Sequence, residues 1–211
     1  MAQKTGPDRL FLNITADNLP TLRNSIDPAI LPFHQTLPQY SQTPLVSLSE
    51  VAKELGLGGV FVKDETSRFG LPSFKILGAS WATFRAVTDA LGLSREISIG
   101  DLAQATRAAS VKVFAATEGN HGRAVAHMAA VIGAQAFIFV PKNVDHDTID
   151  LIIGEGATTE IIDGDYDHAV HVAANRSTEE NGLLIQDTAW DGYEQIPQVR
   201  RLFMILTQLF E

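Results

Sequence analysis

The chain has 211 residues, 45% of them hydrophobic and 19% charged, which is enough apolar material for one domain or a domain and a half and too little charge for a disordered chain. Its 16 basic and 25 acidic residues give a formal charge of −9, with no basic cluster beyond the pair Arg200-Arg201, and this excludes nucleic acid or anionic lipid as a main partner. The absence of cysteine excludes disulfides, thiolate metal sites and a cysteine nucleophile together. Met1 to Pro7 lacks the apolar core of a signal peptide, and no apolar run approaches the roughly 20 residues of a membrane span, so a cytoplasmic enzyme or enzyme fragment is expected.

In chain order, the first 45 residues hold six of the nine prolines, at positions 7, 20, 28, 32, 38 and 44. That density predicts an extended segment, and its apolar residues (Leu10, Phe11, Leu12, Ile30, Leu31, Phe33) predict that it docks on a core. A short helix is predicted from Ser47 to Leu55, with Ser47 as its N-cap and Gly56 as its stop. The pattern then alternates: a strand over 59–63, a helix from Ser73 (its N-cap) to Leu91, and a helix over 98–109. A strand over 111–116, a helix from Asn120 to Ile132 and a strand over 134–140 come next. They are followed by a helix over 145–154, a strand over 158–162, a helix over 165–181, a strand over 183–185 and a last helix over 197–211. Short, nearly continuous apolar strands between amphipathic helices predict an α/β fold, a parallel sheet with helices on both faces.

Three stretches could carry chemistry. In Ser73-Phe-Lys-Ile-Leu-Gly78, Lys75 lies at the start of a helix, where the dipole disfavours an ammonium and Phe74 and Ile76 would desolvate it; both favour the neutral, nucleophilic amine, although a solvated surface lysine fits the pattern as well. Ala116-Thr-Glu-Gly-Asn-His-Gly122 joins a strand to a helix, at the carboxyl end of a parallel strand where open α/β sheets bind ligands. Its glycines let backbone approach a ligand, and helix-start amides suit an anion. Asn120 is either a helix cap or a ligand contact there, and His121 either a polar surface residue or an acid–base group. With glycine only at 119 and 122, the turn is not a dinucleotide-binding G-x-G-x-x-G. In Gln186-Asp-Thr-Ala-Trp-Asp-Gly192, Asp187 follows a strand and either caps a turn or faces the same crevice. His168 and His171 are three apart on a helix but have no carboxylate cluster beside them, so no metal site is expected.

Together these stretches resemble the fold-type-II pyridoxal-phosphate (PLP) enzymes, through Val62-Lys-Asp-Glu65, Arg68-Phe-Gly-Leu71, Ser73-Phe-Lys75 and Leu77-Gly-Ala79. More narrowly, Phe33-His-Gln35 with Tyr40 and Thr43-Pro-Leu45, Thr117-Glu-Gly-Asn-His-Gly-Arg123, Gln186-Asp-Thr-Ala-Trp190 and Gly192-Tyr193 resemble the diaminopropionate ammonia-lyase family, over about residues 30 to 197. The resemblance implies that Lys75 carries PLP as a Schiff base and moves the Cα proton, that Asn120 bonds the phenolic oxygen of the pyridine ring, and that Asp187 lies near the amine of a small amino-acid substrate. It further implies β-elimination of 2,3-diaminopropionate to pyruvate and ammonia, and a homodimer. Threonine or serine dehydratase chemistry and a non-catalytic fragment are the alternatives.

Two departures stand out. Glu118 replaces a family aspartate implied as a second acid–base group, displacing proton delivery on the face used for the D-isomer. No glycine follows Gly192, so the family's glycine-rich phosphate loop is missing. The resemblance divides the chain into 1–92 (N-terminal segment and lysine helix, part of a large domain), 93–190 (small α/β domain) and 191–211 (start of the remainder).

Overall fold

The computed structural model describes residues 27–194 and residue 196. The expected helix over 197–211 and most of the expected extended N-terminal segment lie outside them. Thirteen elements follow one another in the described chain: α1 (Ile30–Thr36), β1 (Leu45–Ser47), α2 (Ser49–Leu55), β2 (Phe61–Lys63), α3 (Lys75–Ala90), α4 (Ile99–Ala108), β3 (Lys112–Ala116), α5 (Asn120–Ile132), β4 (Gln135–Pro141), α6 (His146–Gly154), β5 (Thr158–Ile162), α7 (Tyr166–Glu179) and β6 (Leu183–Leu184).

Four strands form a parallel sheet in the order β5-β4-β3-β6. Lys112 pairs with Gln135 and Ala116 with Phe139; Phe137 pairs with Thr158, and Val113 with Leu183. The chain therefore runs outward from β3 to β5 and returns across the sheet to lay β6 on the free side of β3. At the carboxyl end of β3 the connections leave in opposite directions, which opens a crevice between the β3–α5 turn and the segment after β6.

Side-chain alternation along β3 divides the core. Val113 and Ala115 join Val125, Ile138, Leu77 and Trp81 on one face, while Phe114 and Ala116 join Phe139, Ala169 and Ala173 on the other. α5 packs on the first face against α3, α4 and α6, and α7 covers the second. The α/β class expected from sequence is thus present, and α5 and β5 have the expected bounds. Ser98, Asp145 and Asp165 each cap a helix by accepting the N–H of the third residue on.

Three expectations are corrected. The proline-rich segment holds α1 rather than extended chain: Pro28 and Pro38 bracket it, and Pro32 falls in its first turn, where a missing N–H costs nothing because those amides have no helical partner. Ser47 caps no helix. It ends β1 opposite Phe61, and α2 starts at Ser49 with no side-chain cap. The strand predicted over 59–63 shortens to β2 and joins β1 in an antiparallel ribbon, not the parallel sheet, with Phe61 and Val62 exposed. Its apolar run could not reveal which sheet would take it.

Buried polar groups tie the N-terminal elements to α3. Arg68 is fully buried, and its Nε donates to Glu65 Oε2 at 2.7 Å, while Nη2 donates to Glu65 Oε1 at 2.8 Å and to Thr43 Oγ1 at 2.7 Å. Burial pushes the Glu65 carboxyl up, but bonds from Arg68 and Thr43 and the nearby positive charges outweigh it and hold the group below its ordinary value. The pair clips residues 41–43 onto the turn that leads into α3, with Arg68 Nη1 reaching Ser41 O at 3.1 Å. Arg68→Met leaves Glu65 buried without its counter-charge, and we expect a lower urea midpoint equivalent to about 3–5 kcal/mol.

His34 does the same for α1. Its Nδ1 lies 3.0 Å from Ile30 O and its Nε2 3.1 Å from Leu77 O and 3.0 Å from Ser80 Oγ. Burial lowers its pKa to about 4, against the two carbonyls that favour the charged ring. An unfolded histidine titrates near 6.5. Below that pH the unfolded chain takes up a proton that the folded chain refuses, so a contribution present above 6.5 drains away as pH falls toward 4. The loss amounts to about 3 kcal/mol. Urea midpoints measured across this range should fall, and His34→Gln should flatten part of the slope.

Candidate active site

Lys75 is the first residue of α3, so the helix starts at the lysine itself and not at the predicted Ser73. Ser73 still contributes, its Oγ accepting the Lys75 backbone N–H at 3.2 Å. The side chain is 30% exposed, and its Nζ lies 3.1 Å from Asp187 Oδ2. The expectation of a desolvated amine weighed only the helix dipole and apolar neighbours; it did not include the carboxylate facing the amine, 112 residues away in sequence.

The turn after β3 is built on Thr117. Its Oγ1 accepts from the N–H of Gly119 at 2.9 Å and of Gly122 at 3.0 Å, so Thr117 satisfies the start of α5. Asn120 is therefore not the cap. It is the first residue of α5, exposed, and lines the crevice. Gly119 has φ 156° and ψ −97°, which side-chain-bearing residues rarely adopt. A Cβ on Gly122 would collide with the Thr117 methyl and come within 2.7 Å of Ile138 Cγ2, so glycine there lets α5 sit directly on β4.

His121 is buried, not on the surface. Its Nε2 lies 2.8 Å from Ile185 O and, facing a carbonyl, carries the ring proton. It ties α5 to the end of β6. Gln186 is buried too, and its side chain pairs with the β3 backbone as another strand would: Oε1 accepts the Ala116 N–H at 2.9 Å and Nε2 donates to Ala116 O at 3.2 Å. Tyr193 folds back over this segment, its OH donating to Leu184 O at 2.7 Å and accepting from the Gln186 N–H at 2.8 Å, with Trp190 stacked on its ring at 4.5 Å. Burial pushes the Tyr193 phenol above its ordinary pKa.

These elements enclose a cleft of about 300 Å³ lined by Lys75, Thr117, Glu118, Gly119, Asn120, His121, Tyr166 and Asp187. The structure thus brings Lys75, Glu118, Asn120 and Asp187 around one space. Glu118 is exposed and also borders an adjoining depression of about 200 Å³ lined by Arg123, Thr148 and Leu151. Arg123 is held by Glu155 at 2.9 Å, and Glu155 also takes His127 Nδ1 at 2.8 Å. Burial pushes the Glu155 carboxyl up, but its bonds to His127 and Arg123 outweigh that and hold it below its ordinary value. Sequence reasoning missed Thr117, Gln186 and Tyr166 as shapers of the cleft. Tyr166 follows the carboxyl end of β5, and that position was the available signal. Among the described residues, no group of three histidines and carboxylates is placed to hold a metal, and no helix is long and apolar enough to cross a membrane.

A cleft at the carboxyl edge of a parallel sheet is where open α/β folds bind their ligands, and here a lysine amine opens into it. The chain belongs to the pyridoxal-phosphate dependent enzymes, whose family model matches residues 36–198. It is 38% identical over 187 residues to the diaminopropionate ammonia-lyase of Salmonella typhimurium, covering 87% of this chain and 46% of that one. It superposes on the Escherichia coli diaminopropionate ammonia-lyase with a TM-score of 0.78 at 31% identity for the apo form, covering 85% of this chain and 50% of that one. For the complex with D-serine the TM-score is 0.78 at 33% identity, over 83% and 45%. The chain spans about half the length of these relatives.

The residues fit PLP at its reactive end. A primary amine opens into the cleft, a carboxylate faces it, and the exposed Asn120 lines the same space. Lys75 is the only lysine or arginine among the described residues lining this cleft. Gly122→Ala should push α5 off β3 and β4 and lower the thermal midpoint by the equivalent of about 1–3 kcal/mol in a melt followed by circular dichroism.

Proposed function

We propose that this chain carries the amine-bearing half of a PLP-dependent ammonia-lyase that eliminates ammonia from 2,3-diaminopropionate. The observation that carries the reading is the Lys75–Asp187 pair, 3.1 Å apart, at the meeting of the β3 and β6 carboxyl ends. When bound, PLP supplies the electron sink that makes the substrate Cα proton acidic. Lys75 holds the cofactor and, once released, receives that proton at Nζ. Asp187 Oδ2 keeps the resulting ammonium oriented toward the cleft. Asn120 is assigned to the phenolic oxygen of the cofactor ring. Glu118, on the opposite lip, is assigned to the second face of Cα. The finer partner reading is a small amino acid as substrate and a second copy of the protein as partner, in the cytoplasm. Residues 1–92, 93–190 and 191–211 are assigned to the large domain, the small domain and the remainder.

Titrating the purified chain with PLP should give a visible absorbance band, and borohydride should then fix the cofactor to the peptide containing Lys75. Lys75→Ala should lose both. A Lys75→Ala protein that keeps the band sinks the assignment. Release of ammonia and pyruvate from 2,3-diaminopropionate, set against threonine and serine, then decides between the ammonia-lyase and a dehydratase.

A further inference from the structure

We infer that Tyr166 is a positioning residue that acts through Asp187 on Lys75, and that the buried amide of Gln186 sets the direction in which its hydroxyl donates. Tyr166 opens α7 on the far side of the sheet from α3, yet its OH lies 3.2 Å from Asp187 Oδ1 and 2.7 Å from Gln186 Nε2. The direction of this chain of bonds follows from its buried end. Ala116 N–H can only donate, so the Gln186 atom it meets at 2.9 Å is the oxygen, and the other terminal atom is the nitrogen. That nitrogen donates to Ala116 O at 3.2 Å and to the Tyr166 oxygen at 2.7 Å. An amide nitrogen accepts nothing, so the Tyr166 oxygen is the acceptor there and its hydroxyl donates to Asp187 Oδ1.

The chain of donors therefore ends on one carboxylate. Asp187 receives Tyr166 at 3.2 Å and, more weakly, Gln186 Nε2 at 3.4 Å on Oδ1 and Lys75 at 3.1 Å on Oδ2, which fixes the plane of the carboxyl group and aims one oxygen at the amine. Asp187 is 16% exposed and Lys75 30%, so water alone does not impose this geometry. With Tyr166 in place the Asp187 carboxyl group is oriented to hold the lysine. Without it, Oδ1 loses the shorter of its two bonds and keeps the longer one from Gln186, so the carboxyl group turns more easily off the amine.

The inference rests on Lys75 being the reactive amine but not on cofactor binding, and its test uses none. The chain is labelled with acetic anhydride in the absence of PLP, and the rate at each lysine is followed by peptide mass, with the exposed Lys142 (65% exposed) as internal reference. Asp187→Asn should acetylate Lys75 roughly tenfold faster near neutral pH, with its rate profile displaced to lower pH, because the opposing charge is gone. Tyr166→Phe keeps the ring and removes only the hydroxyl. It should move Lys75 in the same direction by about threefold or more and leave Lys142 unchanged. If Tyr166→Phe does not fold, Tyr166→Leu takes its place. A Tyr166 variant that labels Lys75 at the wild-type rate or more slowly overturns the inference. Loss of cofactor capture with the labelling order intact would overturn the proposed activity alone.

Discussion

The site depends on one buried amide. Gln186 bonds both the N–H and the C=O of Ala116, which continues the parallel ladder between β3 and β6 for one more step in side-chain form. Ladder geometry would otherwise end at Phe114↔Leu184, and the two connections leave the sheet there in opposite directions. Because Gln186 is anchored, the next residue, Asp187, is delivered to the cleft and not to solvent. His121 braces the same junction from α5 through Ile185 O, and Tyr193 braces it from outside through Leu184 O and the Gln186 N–H. An unpaired buried amide costs about 1–3 kcal/mol. That cost makes Gln186 hold its two backbone partners, and with them the relative height of the two loops.

Lys75 meets this junction from a different direction. The N-terminus of α3 is a poor place for an ammonium, since the unpaired amides there already carry positive partial charge. Asp187, 3.1 Å away, offsets that, and the Arg68–Glu65–Thr43 cluster braces the turn ahead of α3. Phe69, buried with φ 54°, sits in that turn in the left-handed region that bulky residues avoid. Such a backbone persists only where its surroundings over-determine it, and the charge cluster beside it supplies that constraint. Two polar clusters far apart in sequence thus set the approach of one amine to one carboxylate.

What the sequence disclosed follows the range of the interactions involved. α5 and β5 were readable to the residue because helical or strand periodicity meets glycine and cap residues at both ends, all within a few positions. α1 was hidden by its prolines, although Pro32 falls where a helix accepts one. β1 was hidden by its length of three residues, and its pairing with β2 has no local signal. The lining residues Lys75, Glu118, Asn120 and Asp187 were legible because each lies at a strand end or helix start. Their partners were not: Tyr166 reaches Asp187 across 21 positions and Lys75 reaches it across 112. Asn120 and His121 each had two readings in the sequence, and the structure removes the local one: Thr117 Oγ1 satisfies the start of α5 in place of Asn120, and His121 is buried.

The charge balance of the cleft then limits what these residues can hold. Lys75 and Asp187 cancel one another, and Glu118 adds a negative charge at the rim. A phosphate group brings about −1.5 to −2 charges at neutral pH. Helix-start amides are its natural partners, but Thr117 Oγ1 has already taken those of Gly119 and Gly122. Arg123, one turn along α5, is turned to Glu155. The Lys75–Asp187 pair and the Glu118 charge therefore leave the described cleft without a net positive charge to set against a phosphate.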